Sequence, residues 1–191
     1  MKTAPKGISE ATHRAHLILW QGYANKTNEI RTALASFDYD ASKANQIYSQ
    51  IRALRVNYAF ALGGFLNHNV YFDTIGGEGG NPTGDLAMEI NAAFGSYEEL
   101  KKNLKATAIG ARGWAYLAWN EDEGFLEVLI GDSQDTFPAW NHELILALDV
   151  YEHAYYLDFQ TARAKYVDAY FEVIDWSAAN ARLAKAKAKG R

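Results

Sequence analysis

The chain has 191 residues, 49% of them apolar, a formal charge of −4 and no cysteine. That length and apolar share supply a real core for one domain or two small ones and exclude disorder away from the ends. The absent thiol excludes disulfides, thiolate zinc sites, iron–sulfur clusters and cysteine nucleophiles, and the acidic balance argues against nucleic acid, whose phosphates need a basic face.

Residues 1–14 contain no apolar core of the secretory kind. No stretch reaches the roughly 18 uncharged apolar residues that a membrane helix needs, so a cytoplasmic chain without membrane contact is expected. Ser9 is a fitting N-cap for a first helix through His16 and Tyr23 to about Asn28, with Leu17, Trp20 and Ala24 as its apolar stripe. A second helical stretch starts near Asp40 or Ser42 and continues, with some break, through Ile51, Leu54, Tyr58, Leu62, Phe65 and His68 to about Ile75. The pair is long enough for an antiparallel hairpin. Gly77-Glu78-Gly79-Gly80-Asn81-Pro82-Thr83-Gly84 is dense in turn residues and marks a boundary, giving a helical hairpin domain over 1–78 and a second domain over 79–191. In that second part helices are expected at 85–94 and 96–107. Strands are expected at 113–119 and 125–130, joined by the turn at 120–124, and a third at 144–149. Helical spacing returns over 161–174, and a last helix follows Trp176, its Lys-rich end at 184–189 reading as a frayed terminus. No internal repeat or low-complexity linker interrupts the order. The fold class is α+β: an N-terminal antiparallel helical hairpin, then a domain with a small three-stranded antiparallel sheet flanked by helices.

Chemistry concentrates at residues 149–156, Asp-Val-Tyr-Glu-His-Ala-Tyr-Tyr, which set a carboxylate and an imidazole four positions apart in an apolar stretch. A buried Asp or His is costly unless paired, and a transition-metal ion accepting both an oxygen and a nitrogen would satisfy the two at once. The plainer reading is a buried ion pair between Asp149 and His153. Without cysteine, any such metal is held by His and carboxylate. The histidines are His13, His16, His68, His142 and His153, and a lone helical histidine is usually structural, so their neighbours decide.

The 149–156 run resembles the signature of the iron/manganese superoxide dismutases, in which its Asp and His both ligate the metal. His16, at the end of Gly7-Ile8-Ser9-Glu10-Ala11-Thr12-His13-Arg14-Ala15-His16, is similar in setting to the family's first ligand. His68, in Phe65-Leu66-Asn67-His68-Asn69-Val70-Tyr71-Phe72, resembles the second. The resemblance covers nearly the whole chain, including 77–84, Phe94-Gly95-Ser96, Gly113-Trp114-Ala115-Tyr116-Leu117 and Ala162-Arg163-Ala164-Lys165-Tyr166. It implies a metal site of His16, His68, Asp149 and His153, holding one manganese or iron ion per subunit and disproportionating superoxide to dioxygen and hydrogen peroxide. Three imidazoles and a carboxylate suit manganese, iron or zinc, but zinc has no second oxidation state for that cycle.

The same resemblance assigns surrounding roles. Tyr23 follows His16 by seven residues, two helical turns or roughly 10 Å along the axis, and matches a tyrosine that gates substrate entry, at a spacing one residue shorter than usual. Gln134 matches a glutamine that manganese-type members place against metal-bound solvent. Iron-type members supply theirs from the position of Gly64, so manganese is favoured. Trp114 resembles a pocket wall, and Tyr151 stands where the family usually has Trp, adding a hydroxyl beside the metal. Glu152 would bond the partner's His153 across a homodimer, or a tetramer built from it. Tyr156 would meet a histidine of the partner's first helix, yet Leu17-Ile18-Leu19-Trp20-Gln21-Gly22 holds none. His13 and His142 read as surface or structural residues. A catalytically silent structural relative is the alternative function, and loss of ligands, its mark, is not seen. A metal enzyme of other specificity finds no nucleotide loop or nucleophile pattern to support it.

Overall fold

In a computed structural model, which describes residues 4–136 and 140–189, the chain opens with the expected pair of long helices. Ser9 has extended backbone and its Oγ accepts the Thr12 N–H, starting α1 (Glu10–Ala35). This helix runs past the predicted end near Asn28, because Ile30 and Leu34, one turn apart, continue its buried face against Ala61. The second helix, α2 (Gln50–Thr74), begins later than predicted. Residues 40–48 instead satisfy their backbone locally: Asp40 Oδ1 accepts the Ser42 N–H around a 3-10 turn, Ala41–Lys43, and Asn45 Oδ1 accepts the N–H groups of Ile47 and Tyr48. Short polar side chains compete with the helix in this way. Helices α1 and α2 pack against each other as a hairpin.

Two further helices, α3 (Gly84–Phe94) and α4 (Tyr97–Gly110), meet at Gly95, whose φ of 82° is a left-handed conformation that glycine adopts without strain. Strands β1 (Trp114–Asn120), β2 (Phe125–Gly131) and β3 (His142–Asp149) form an antiparallel sheet in the order β2-β1-β3. Every residue of the central strand is buried, so its sequence is a continuous apolar run instead of an alternating one. The β1–β3 register slips between Leu117 and Ala118, which pair with Leu146 and Leu144 and leave Ile145 as a bulge. The chain ends with α5 (Tyr156–Phe159), α6 (Arg163–Phe171) and α7 (Trp176–Lys189). Helix α6 is shorter than the predicted 161–174, since Ile174 leaves helical geometry to form a β-bridge with Ile75. The lysine-rich end of α7 is not frayed: Lys187 pairs with Glu89 and Lys189 with Glu143.

Helix α4 covers β1 and β2, while α2 and α7 lie on β3. Leu86, Ile90, Leu100, Leu104, Leu117 and Leu146 are fully buried between these layers. Each such side chain contributes about 1.5–3 kcal/mol. The register has one consequence for chemistry. Trp114, the first residue of β1, lies opposite both Gly131 and Asp149, so the far ends of β2 and β3 meet at one edge of the sheet. Helices α1 and α2 bring their own polar residues to that edge.

Candidate metal centre

At that edge the side chains of His16 from α1, His68 from α2, Asp149 from β3 and His153 from the 3-10 turn Glu152–Ala154 converge, one ligand atom from each lying within 4.8 Å of the others. The three histidine Nε2 atoms point at a single oxygen, Asp149 Oδ2, at 3.0 Å from His16, 3.3 Å from His68 and 3.0 Å from His153. The other carboxylate oxygen is already used, accepting the Tyr151 N–H at 3.0 Å. His16, His68 and Asp149 are buried, and His153 keeps 26% of its side chain exposed.

The protonation pattern decides what this cluster can hold. His68 Nδ1 lies 2.5 Å from the Gly64 carbonyl, which can only accept, so Nδ1 carries the proton and Nε2 carries a lone pair. That lone pair faces the lone pairs of Asp149 Oδ2, and His68 Nε2 has no hydrogen-bond partner. Two electron pairs opposed in a buried site need a cation between them, and a simple Asp149–His153 ion pair would leave His68 unexplained. Burial pushes the His16 imidazole down to about 4 against the opposing pull of Asp149, so it is neutral at ordinary pH. Burial works to raise the Asp149 carboxyl, but the charge and hydrogen bond of His153 and the bonds from His16 and His68 outweigh it and hold the group well below the usual carboxylate range. A donor set of three imidazoles and one carboxylate fits a first-row transition ion.

Gln134, three residues beyond β2, is buried beside the cluster. Its Oε1 accepts the Trp114 indole N–H at 3.1 Å, its backbone oxygen accepts from Asn67 Nδ2 at 3.3 Å, and its Nε2 has no partner. An amide fixed at one end leaves its donor at the other available to a polar group in the site. Two adjacent glycines of α2 make room for this arrangement. A Cβ at Gly63 would lie 2.0 Å from the Gln134 backbone oxygen, and one at Gly64 would lie 2.7 Å from Cδ1 of Tyr23. Trp114 also meets His68 edge-on at 5.1 Å, as a wall would.

The structure brings Tyr23 within 5.3 Å of His68, ring to ring, despite its shortened spacing from His16. Burial, with the Asp149 charge and Tyr151 assisting, pushes its phenol up to about 12, while the Gln134 amide acts the other way. Tyr151 stacks on His153 at 5.4 Å with planes 15° from parallel, and burial is the main cause that raises its phenol above the ordinary value. On α1, Trp20 lies one turn after His16. Its indole N–H donates to Asn69 at 2.8 Å and its ring stacks on Phe65, so it gives no proton path outward. Glu152 is exposed, as is 47% of Tyr156. His13 is buried against Phe72, and His142 bonds Glu127 at 2.7 Å; both are structural, and His13 is not a surface residue. Sequence reasoning missed Gly63 and Asn67. The available signal for the first was a Gly-Gly pair inside a helix, where each glycine costs about 0.5–1 kcal/mol and implies a close approach.

Comparison with known proteins agrees with this geometry. A family model described as iron/manganese superoxide dismutases, C-terminal domain, matches residues 82–182. The superoxide dismutase [Fe] of Aquifex aeolicus (strain VF5) is 36% identical over 184 residues, 95% of this chain and 86% of that protein. The mitochondrial superoxide dismutase [Mn] of Glossina morsitans morsitans is 32% identical over 184 residues, covering 95% and 82%. Superoxide dismutase [Mn] 2 of Haloferax volcanii is 38% identical over 167 residues, covering 87% and 81%.

Proposed function

The chain belongs to the iron/manganese superoxide dismutases, and from that premise we propose that it disproportionates superoxide at the His16, His68, Asp149 and His153 cluster, with manganese as the favoured ion. The carrying observation is the lone pair of His68 Nε2 opposed to Asp149 Oδ2 in a buried site. Manganese or iron held there supplies one-electron exchange, oxidising one superoxide to dioxygen and reducing the next, with two protons, to hydrogen peroxide. One carboxylate among four donors leaves the loaded site cationic, which draws in an anion. Trp114 closes one side of the site, Tyr23 stands on the α2 side with its phenol protonated, and Gln134 presents an amide N–H that can hold a polar ligand in place.

Gln134 and Gly64 support manganese over iron. The amide arrives from the β2–β3 connection, and position 64 has no room for a second one while Tyr23 occupies that space. The relatives include both [Fe] and [Mn] proteins, so the metal rests on this local argument. A homodimer is proposed from the surface around His153. Ile18, Tyr156 and Leu157 expose apolar surface, the His153 side chain is 26% exposed, and the exposed Glu152 would reach the partner's His153. The boundary near residue 78 leaves two cluster residues on each side, so the centre would join the two domains. No described helix is long and apolar enough to cross a membrane.

Superoxide consumption with peroxide production, measured on manganese- and iron-reconstituted protein side by side, tests the proposal. Activity with manganese alone supports both function and metal. Activity with iron alone overturns the metal, and inactivity of both fully loaded forms overturns the function.

A further inference from the structure

His16 and His68 are held by helices of 26 and 25 residues, and Asp149 by strand pairing opposite Trp114, but His153 sits on a three-residue 3-10 turn followed by the four-residue α5. Elements this short have little stability of their own, so the direction of the His153 ring depends on what packs against the turn. Two residues on, Tyr155 closes that turn with its N–H on the Glu152 carbonyl and buries its ring on Tyr166, at 5.1 Å with planes 22° apart. Its hydroxyl accepts a bond from Arg163 Nε at 3.2 Å, and Arg163 Nη1 donates to the Ala111 carbonyl at 2.7 Å. Ala111 ends α4 and stands two residues before Gly113, whose carbonyl accepts the Val150 N–H at 2.8 Å just after Asp149. One guanidinium thus ties the turn carrying His153 to the approach to β1 and to the backbone that follows Asp149.

Local rules argue against arginine at this position. Arg163 is the first residue of α6, where a cation opposes the helix dipole, and α6 starts without a side-chain cap or an acid in its first turn. The chain reaches it through Gln160, whose φ of 47° is a left-handed conformation uncommon for a residue with a Cβ. A residue that breaks local preferences and makes two long-range bonds is placed for its tertiary partners. We propose that Arg163 is a positioning residue for His153: by holding the Tyr155 hydroxyl and the Ala111 carbonyl together it fixes the 3-10 turn, and so the direction in which His153 Nε2 points at the cluster. The inference rests on His153 being a ligand of the proposed ion. Groups outside a ligand set orient the ligands and tune their affinity. Lysine would keep the charge but not the planar fork that reaches both acceptors. A plain cap on α4 would need only the Ala111 bond.

Tyr155→Phe separates positioning from such a cap, since it removes the bond to Tyr155 and leaves the bond to Ala111 in place. Manganese release is followed by chelator challenge of the manganese-loaded protein. Y155F should release the ion about three- to tenfold faster, the ratio that one hydrogen bond sustains, and Arg163→Lys should release it at least as fast. Both should change the zero-field splitting of bound Mn(II) in its electron paramagnetic resonance spectrum, and the double variant Y155F/R163K should go no further than R163K alone. Leu126→Val, at the end of the sheet away from the cluster, is the control for a general loss of stability and should leave both readouts unaltered. A native release rate and spectrum in Y155F, or equal changes in L126V, overturn the role of Arg163 and leave the metal site standing. Additive changes in the double variant overturn the route through Tyr155. A His153→Ala protein that keeps manganese as tightly as the native chain removes the premise, and the inference with it.

Discussion

Gly63→Ala sets two opposing effects against each other within one helix. Alanine is the better helix former by about 0.5–1 kcal/mol, so on propensity alone the change stabilises α2. The new Cβ would, however, lie 2.0 Å from the backbone oxygen of Gln134 and 2.8 Å from its carbonyl carbon, atoms that no side-chain rotation can remove. Restoring ordinary contact requires a backbone displacement of about 1 Å or more. Overpacking of this kind costs about 1–3 kcal/mol, and the long Asn67-to-Gln134 bond gives up about 1 kcal/mol more. The clash therefore wins, with a net loss of roughly 1–3 kcal/mol, or about 2–12 °C in Tm for a chain of this size. Gly22→Ala is the internal control, since a Cβ there meets nothing within 4 Å and should raise Tm by about 1–4 °C. Thermal unfolding of the metal-free variants reads both numbers, and the midpoint potential of manganese-loaded G63A should move as the Gln134 segment is displaced. Equal Tm gains in the two variants would refute the claim that residue 63 is glycine to admit Gln134.

His68→Ala removes the lone pair opposed to Asp149 and should weaken metal binding by more than the roughly 10–100-fold lost with an outer partner; retained stoichiometric metal after dialysis would strike His68 from the site. Glu152→Ala should weaken the proposed dimer by about 30-fold or more, read by sedimentation across micromolar concentrations, and an unaltered dimer would remove Glu152 from the interface. Burial acts to lower the His142 imidazole, but the Glu127 bond, the Trp140 carbonyl and the charges of Glu127 and Asp122 raise it above 6.5. A raised folded-state pKa gives stability that is complete below the unfolded value and lost as pH rises through the folded one. The stability gap between the native chain and His142→Gln should therefore shrink as pH rises from 6.5, and a gap independent of pH would contradict the pairing.

Local chemistry made much of the molecule legible before any coordinates. The Ser9 cap, the turn-rich segment at 77–84 and the uninterrupted apolar run of β1 each carry their structure in residue type and spacing. Boundaries failed where tertiary packing or side-chain competition overrode them. Ile30 and Leu34 prolong α1 because Ala61 lies beneath them, and Asp40 and Asn45 delay α2 by taking backbone N–H groups from any helix. The lysines of α7 are ordered by Glu89 and Glu143, which are far away in sequence.

For the candidate metal centre the sequence by itself limited the donor types, since without cysteine only His and carboxylate remain, and set Asp149 and His153 together, while His16 and His68 stood out only through the resemblance of their segments to the superoxide dismutases. Only the tertiary structure decided how they are used. The protonated nitrogen of His68, the free N–H of Gln134 and the need for glycine at 63 all depend on which atom of one element faces which atom of another. Such pairings are set by sheet register and helix contact over separations of tens of residues. A side chain's identity is local, but the direction of its lone pairs and protons is fixed by whatever packs against it.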